Sequence, residues 1–152
     1  LVFSTLHTND APSAITRLLD MGVESFLLSS TVRGILAQRL VRMICPDCRR
    51  QTGVSDDVEE LMALGMGGGV PVWRGAGCEA CGHTGFFGRS GLFELLVVDE
   101  DLRRLTLKGA DEGEIRAQAR RSGMKTLLED GMEKIRMSVT TLDEVFRVTR
   151  ED

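Results

Sequence analysis

Four cysteines carry the strongest chemical signal in this sequence, and they fall into two pairs, Cys45-Pro46-Asp47-Cys48 and Cys78-Glu79-Ala80-Cys81. A C-x2-C knuckle brings two thiolates to one metal while the backbone between them turns tightly. Two knuckles complete a tetrahedron of sulfur, a geometry that zinc accepts readily. Gly77 and Gly82 flank the second pair and ease its turn. A catalytic zinc keeps an open position and usually recruits His or a carboxylate. Four cysteines fill the shell, so the expected site is structural, and its ligation contributes directly to local folding. His83, two residues past Cys81, is read as a neighbour of the site or a surface residue rather than a ligand. The alternative is two disulfides, which suit a secreted chain, and no signal-peptide pattern opens this one.

A second group of polar residues, Ser4, Thr5, His7, Thr8 and Asn9, lies at the carboxyl end of the apolar run Leu1 to Leu6. In open α/β sheets ligands bind at that edge, so His7 is a candidate phosphate contact; the plainer reading is a turn histidine bonded to local backbone. Other patterns carry less. Gly65-Met66-Gly67-Gly68-Gly69 is followed by Val70 and Pro71, not by the Lys and Ser/Thr of a phosphate-binding loop. Arg17, Arg33, Arg39 and Arg42, and the acidic group Asp56, Asp57, Glu59 and Glu60, read as solvated faces or ordinary ion pairs. Met62, Met66, Met124, Met132 and Met137 suit core filling or loop exposure better than a metal site. Only two histidines exist and no nucleophile elbow appears, which leaves Ser-His-Asp catalysis unsupported.

These residues need elements to hold them. Leu1 to Leu6 reads as a buried strand, and His7 to Asp10 as the turn after it. Asp10 caps a following helix with Pro12 in its first turn; Ile15, Leu18, Leu19 and Met21 form its apolar side, and Gly22 ends it. Glu24 to Arg42 is expected to be a second helix, on the spacing of Phe26, Leu27, Val32, Ile35, Leu36 and Leu40. Strand, helix, helix fits the end of an α/β sheet. The 29 residues between the knuckles exceed the usual ribbon spacing and must form a small structure of their own. Ser55 to Leu64 is expected as a short acidic helix, Met66 to Val70 as a loop, and Val72-Trp73 as a short strand. Phe86 to Val98 reads as a turn and a strand. Helices follow at Glu100 to Leu107, after Asp111 to Gly123, at Thr126 to Met137, and from Thr141 to Val148, the last opened by a capping-box pattern at Thr141 and Glu144.

At 152 residues the chain holds one ordinary domain or two small units. Its net charge of −4, with no Tyr and one Trp, argues against a zinc-ribbon nucleic-acid binder. No apolar run approaches the roughly 20 residues that span a bilayer. Leu1 begins in mid-run without a Met, so the chain is expected to be part of a longer protein, with a processed chain as the alternative. An unpaired edge at Leu1 to Leu6 would favour association or domain exchange.

Four ordered segments resemble bacterial secretion ATPases. Leu1 to Ala11 is similar to their histidine box. Gln38-Arg39-Leu40-Val41-Arg42, running into the first knuckle, resembles the tetracysteine region of type II secretion ATPases (GspE-like) and type IV pilus assembly ATPases (PilB-like). Gly88 to Leu96 resembles their strand after the second knuckle, and Thr140 to Thr149 their last helix. The resemblance implies an α/β remnant of a RecA-like P-loop ATPase domain, with a tetracysteine zinc-binding subdomain and a helical carboxyl-terminal tail, mostly α in the part present. It implies residues 1–43 in the ATPase core, 44–87 in the zinc subdomain, and 88–152 in a strand plus helical subdomain. It further implies a homohexamer on the cytoplasmic side of the bacterial inner membrane, powering pseudopilus or pilus assembly beside GspL-like and GspF-like platform proteins, without nucleic acid or a membrane span of its own. His7 would contact the γ-phosphate, Thr5 and Thr8 would lie at the nucleotide, and Cys45, Cys48, Cys78 and Cys81 would hold structural zinc. The family's Walker A Lys, aspartate box and Walker B acidic pair precede the histidine box, and none is in this chain. ATP and Mg²⁺ therefore belong to the longer parent, and the chain alone is expected not to hydrolyse ATP. The stretches Leu95 to Glu100 and Lys125 to Gly131 look closer to the type II branch. A non-catalytic zinc-stabilised interaction module is the reading from another class.

Overall fold

The computed structural model describes residues 1–54 and 71–149. The expected acidic helix at Ser55 to Leu64, the loop at Met66 to Val70, the Gly65 to Gly69 run, the acidic group at 56–60, Met62 and Met66 lie outside them. Among the described residues the order is α1 (Ala11–Asp20), α2 (Ser25–Thr31), β1 (Gly34–Ile44), β2 (Arg49–Val54), β3 (Pro71–Gly75), a 3-10 turn (Glu79–Cys81), β4 (Phe86–Val97), α3 (Glu100–Lys108), α4 (Glu112–Arg121), α5 (Leu127–Arg136) and α6 (Leu142–Thr149). This is an α/β fold.

Two early expectations fail. Residues 1–9 are not a strand, and Leu1, Val2 and Phe3 are almost fully exposed. An apolar run becomes a strand only when another backbone pairs with it, and composition cannot supply that partner. The expected helix from Glu24 to Arg42 stops at Thr31, and β1 follows. Its apolar residues fit both periods. Ile35, Ala37, Arg39 and Val41 turn inward while Leu36, Gln38, Leu40 and Arg42 turn outward, an alternation of two. Arg39 and Arg42 therefore stand on a strand. β1 pairs with β4. Gly34 lies against Leu96 and Gly88 against Met43, so the two strands run antiparallel.

By contacts the chain divides into two compact units, Leu1–Gln38 with Phe93–Leu127, and Arg39–Leu92 with Leu128–Asp152. The first is built on α1. Asp10 caps it as expected: the Ser13 amide donates to Asp10 Oδ1 at 2.9 Å, and the Asp10 amide donates back to Ser13 Oγ at 3.4 Å. The core joins Ala11 and Ile15 to Leu96, Val98, Leu102, Ala110, Ile115, Ala119 and Met124. Asp99 and Asp111 cap α3 and α4, the latter in a full box with Glu114. Inside this core sits Glu94, 2% exposed, which the sequence pattern did not single out. Its two carboxylate oxygens accept from the amides of Ala11 (2.8 Å) and Leu127 (3.3 Å), the first residues of α1 and α5. Burial raises its carboxyl above the usual range, and those amides hold it back.

In the second unit β2 and β3 form an antiparallel ribbon, with Arg49 opposite Gly75, Arg50 opposite Arg74, Gln51 opposite Trp73, and an irregularity between Gln51 and Gly53. The Arg49 guanidinium lies 5.6 Å from the Trp73 ring centre. α5 and α6 approach closely at Gly131, where an added Cβ would come within 2.5 Å of Val145 Cγ1. The expected capping box of α6 is half present. The Glu144 amide donates to Thr141 Oγ1, but the Glu144 carboxylate goes to Arg42 and Arg147 instead.

Candidate metal centre

The residues leading into the first knuckle are held from several sides. The Ile44 amide donates to Val139 O at 2.9 Å, Thr140 Oγ1 donates to Arg42 O at 2.7 Å, and the Cys45 amide donates to Gly85 O at 3.0 Å. Arg42 lies over the Phe86 ring at 4.2 Å and pairs with Glu144 at 2.6 Å. The second knuckle turns through the 3-10 residues Glu79–Cys81 into Gly82, in left-handed backbone at φ 58°. His83 follows at φ 62°, with its amide on Cys78 O at 2.8 Å and its side chain exposed, as a surface residue. Two glycines that sequence reasoning missed make this fold possible. A Cβ on Gly75 would sit 1.9 Å from Gly85 O, so the end of β3 and the start of β4 pass in backbone contact. No spacing rule announces that crossing.

The outcome is one cluster. The Sγ atoms of Cys45, Cys48, Cys78 and Cys81 all lie within 4.8 Å of one another. Three pairs stand at 3.9, 3.9 and 3.7 Å: Cys45 with Cys78, Cys48 with Cys81, and Cys78 with Cys81. A tetrahedron with Zn–S bonds of about 2.3 Å has S···S edges of about 3.8 Å. A disulfide needs about 2.05 Å, and all four thiols are free. Cys45 and Cys81 are buried, with Cys48 and Cys78 half-buried. Backbone amides point at the sulfurs: Gly77 N to Cys48 at 3.3 Å, and Cys78 N and Gly85 N to Cys81 at 3.2 and 3.3 Å. The Cys78 amide above all, then Gly85, against the cost of burial, lowers the Cys81 thiol to about 6. Burial pushes Cys48 the other way, to about 11, despite the Gly77 amide. Four thiolates this close repel one another without a cation between them. The donor set, spacing and amide contacts fit a tetrahedral ion such as zinc, and no position is left open for substrate.

The polar residues near the amino terminus belong to the first unit. Thr5 and His7 are exposed, and Thr8 is half-buried with Oγ1 donating to Asp10 O at 3.1 Å. They lie just ahead of the start of α1. Asp10 is buried there and pairs with Arg116 of α4 at 2.6 Å.

Residues 1–147 match the family model described as Type II/IV secretion system protein. The chain belongs to this family. Among its relatives, the type II secretion system protein HxcR of Pseudomonas aeruginosa is 50% identical over 151 residues, covering 99% of this chain and 29% of the relative. The type IV pilus assembly ATPase PilB of Thermus thermophilus is 48% identical over 155 residues, covering 99% of this chain and 17% of the relative. The type II secretion system ATPase E of Vibrio cholerae is 43% identical over 151 residues, covering 99% and 30%. The chain thus spans less than a third of the family members it matches. Secretion-family membership rests on the whole chain, knuckles included. No helix among the described residues is long and apolar enough to cross a membrane.

Proposed function

We propose that this chain is the carboxyl-terminal part of a hexameric ATPase that powers type II secretion by driving pseudopilus assembly. The observation that carries the reading is the match, along 99% of the chain, to relatives named as a type IV pilus assembly ATPase and a type II secretion system ATPase. In the parent, residues 1–43 complete a RecA-like nucleotide domain, 44–87 form the zinc subdomain, and 88–152 the strand and helical tail. His7 contacts the γ-phosphate, with Thr5 and Thr8 beside the nucleotide. A hydrogen-bonding imidazole there acts where charge moves during phosphoryl transfer. Zinc on Cys45, Cys48, Cys78 and Cys81 braces the fold and performs no step. Bound zinc supplies charge neutralisation for the thiolates; the chain supplies the amides that orient them.

ATP and Mg²⁺ are cofactors of the parent, which works on the cytoplasmic face of the inner membrane against GspL-like and GspF-like platform proteins. The 152-residue chain, lacking a Lys-bearing phosphate loop, does not hydrolyse ATP. The PilB relative at 48% identity favours a second reading, the same region of a type IV pilus motor. Steady-state ATPase assays test the core of the proposal. Activity is expected in the parent, cut to a small measurable residue in its His7→Ala form, and absent from the chain alone. A parent indifferent to His7→Ala sinks the role of His7, and turnover by the purified chain sinks the division of labour.

A further inference from the structure

We propose that Glu94 and Arg116 are positioning residues for the turn that carries His7, an inference that rests on the phosphate-contact reading of His7. Alternation along β4 places Glu94 inward between Leu92 and Leu96, where an apolar residue would cost far less to bury. Its carboxylate is instead fastened to the Ala11 amide at 2.8 Å and the Leu127 amide at 3.3 Å. Both amides open helices, where the backbone carries partial positive charge, so they suit an anion that must hold a fixed place. Arg116 reaches the preceding residue, pairing with Asp10 Oδ2 at 2.6 Å.

The Arg116 contact exceeds what capping α1 requires. Asp10 already caps through Oδ1 to the Ser13 amide, and Arg116 takes the other oxygen. Two consecutive residues, Asp10 and Ala11, are therefore gripped from β4 and α4, and only Thr8 and Asn9 separate that grip from His7. Thr8 Oγ1 donates to Asp10 O and shortens the slack further. One grip fixes where the turn sits, and two from different elements fix its direction. Direction matters because a misplacement of about 1 Å at a reacting group can cost on the order of a hundredfold in rate.

The test uses the full-length parent. His7→Ala, Glu94→Gln and Arg116→Gln are made singly, and the last two are each combined with His7→Ala. Glu94→Gln and Arg116→Gln are expected to lower kcat about tenfold or more at nearly unchanged KM for ATP. Neither is expected to lower the residual activity of the His7→Ala form further, because the residue they direct is gone. Arg116 is partly exposed, so Arg116→Gln keeps the test alive where Glu94→Gln fails to fold, and Arg116→Lys should restore part of kcat. Losses that multiply in the double variants, or a folded Arg116→Gln enzyme with wild-type kcat, overturn the proposal. Wild-type activity in His7→Ala instead overturns the reading beneath it, an outcome visible before any double variant is assayed.

Discussion

Glu144 offers the sharpest thermodynamic test. Its side chain is 2% exposed and carries Arg42 at 2.6 Å, Arg147 at 2.8 Å and the Arg42 amide at 2.9 Å. Burial alone would raise its carboxyl, but Arg147 and then Arg42 overcome that and bring it from 4.5 down to about 2. A shift of that size converts to about 3 kcal/mol at about 1.4 kcal/mol per pKa unit. Arg42 and Arg147 are themselves 52% and 53% exposed, and water screens their half of the interaction, so ~1.5–2 kcal/mol is the better figure. The folded carboxyl lies below its unfolded value. Its stabilisation is therefore fully present above about pH 4.5 and drains away as pH falls toward about 2. Glu144→Gln removes the charge and keeps an oxygen for the Arg42 amide. Urea unfolding, followed by circular dichroism from pH 7 to pH 3, compares the two proteins with the same thiol chemistry in each. At pH 7 the variant should be less stable by ~1.5–2 kcal/mol, and the gap should narrow through the acid range. A constant gap, or none at pH 7, would refute the ion-pair account and leave Glu144 as a buried group held by packing alone.

The remaining predictions are narrower. Metal analysis with thiol titration should give one zinc per chain and four protected thiols; two disulfides without metal would remove the site, and a chelator should unfold the second unit while Asp111-capped α4 keeps its helical signal. Gly75→Ala drives a Cβ into Gly85 O, and because backbone rather than a side-chain tip is in the way, the loss should exceed ~3 kcal/mol, read as a collapse of zinc affinity in a competition assay. Gly131→Ala should destabilise by ~1–2 kcal/mol despite the better helix propensity of Ala. Adding Val145→Ala should recover part of that loss in thermal unfolding, because Val145 Cγ1 is the atom in the way.

The clustering of the four cysteines is legible because its signal is short-range. Two C-x2-C knuckles dictate their own turns, and any fold that brings them together makes one S4 cluster. Helix caps are legible for the same reason: Asp10, Asp111 and their partners act within three residues. The two expectations that fail, at β1 and at residues 1–6, turn on a remote backbone, although the strands expected at Val72-Trp73 and Phe86 to Val98 do form. Phe26, Leu27, Val32, Ile35, Leu36 and Leu40 satisfy a helical period, and only β4 alongside decides for the strand at β1. The strand expected at Leu1 to Leu6 rests on composition, which names no neighbour.

The same division explains which acidic residues went unnoticed. Glu144 reads locally as the closing member of a capping box, and one half of that box does form, yet its carboxylate is drawn 102 positions back to Arg42. Glu94 reads as a polar interruption of an apolar strand, and only the folded chain shows helix-opening amides waiting on either side of it. Each charge is buried where local pattern offers no reason, and each is satisfied by groups distant in sequence. Desolvation makes such placements costly unless the partners are fixed. Buried carboxylates that sequence pattern cannot account for are thus the places where tertiary structure has imposed a demand of its own: at Glu144 the anchoring of α6 to the strand leading into the first knuckle, and at Glu94 the fixing of the turn behind His7.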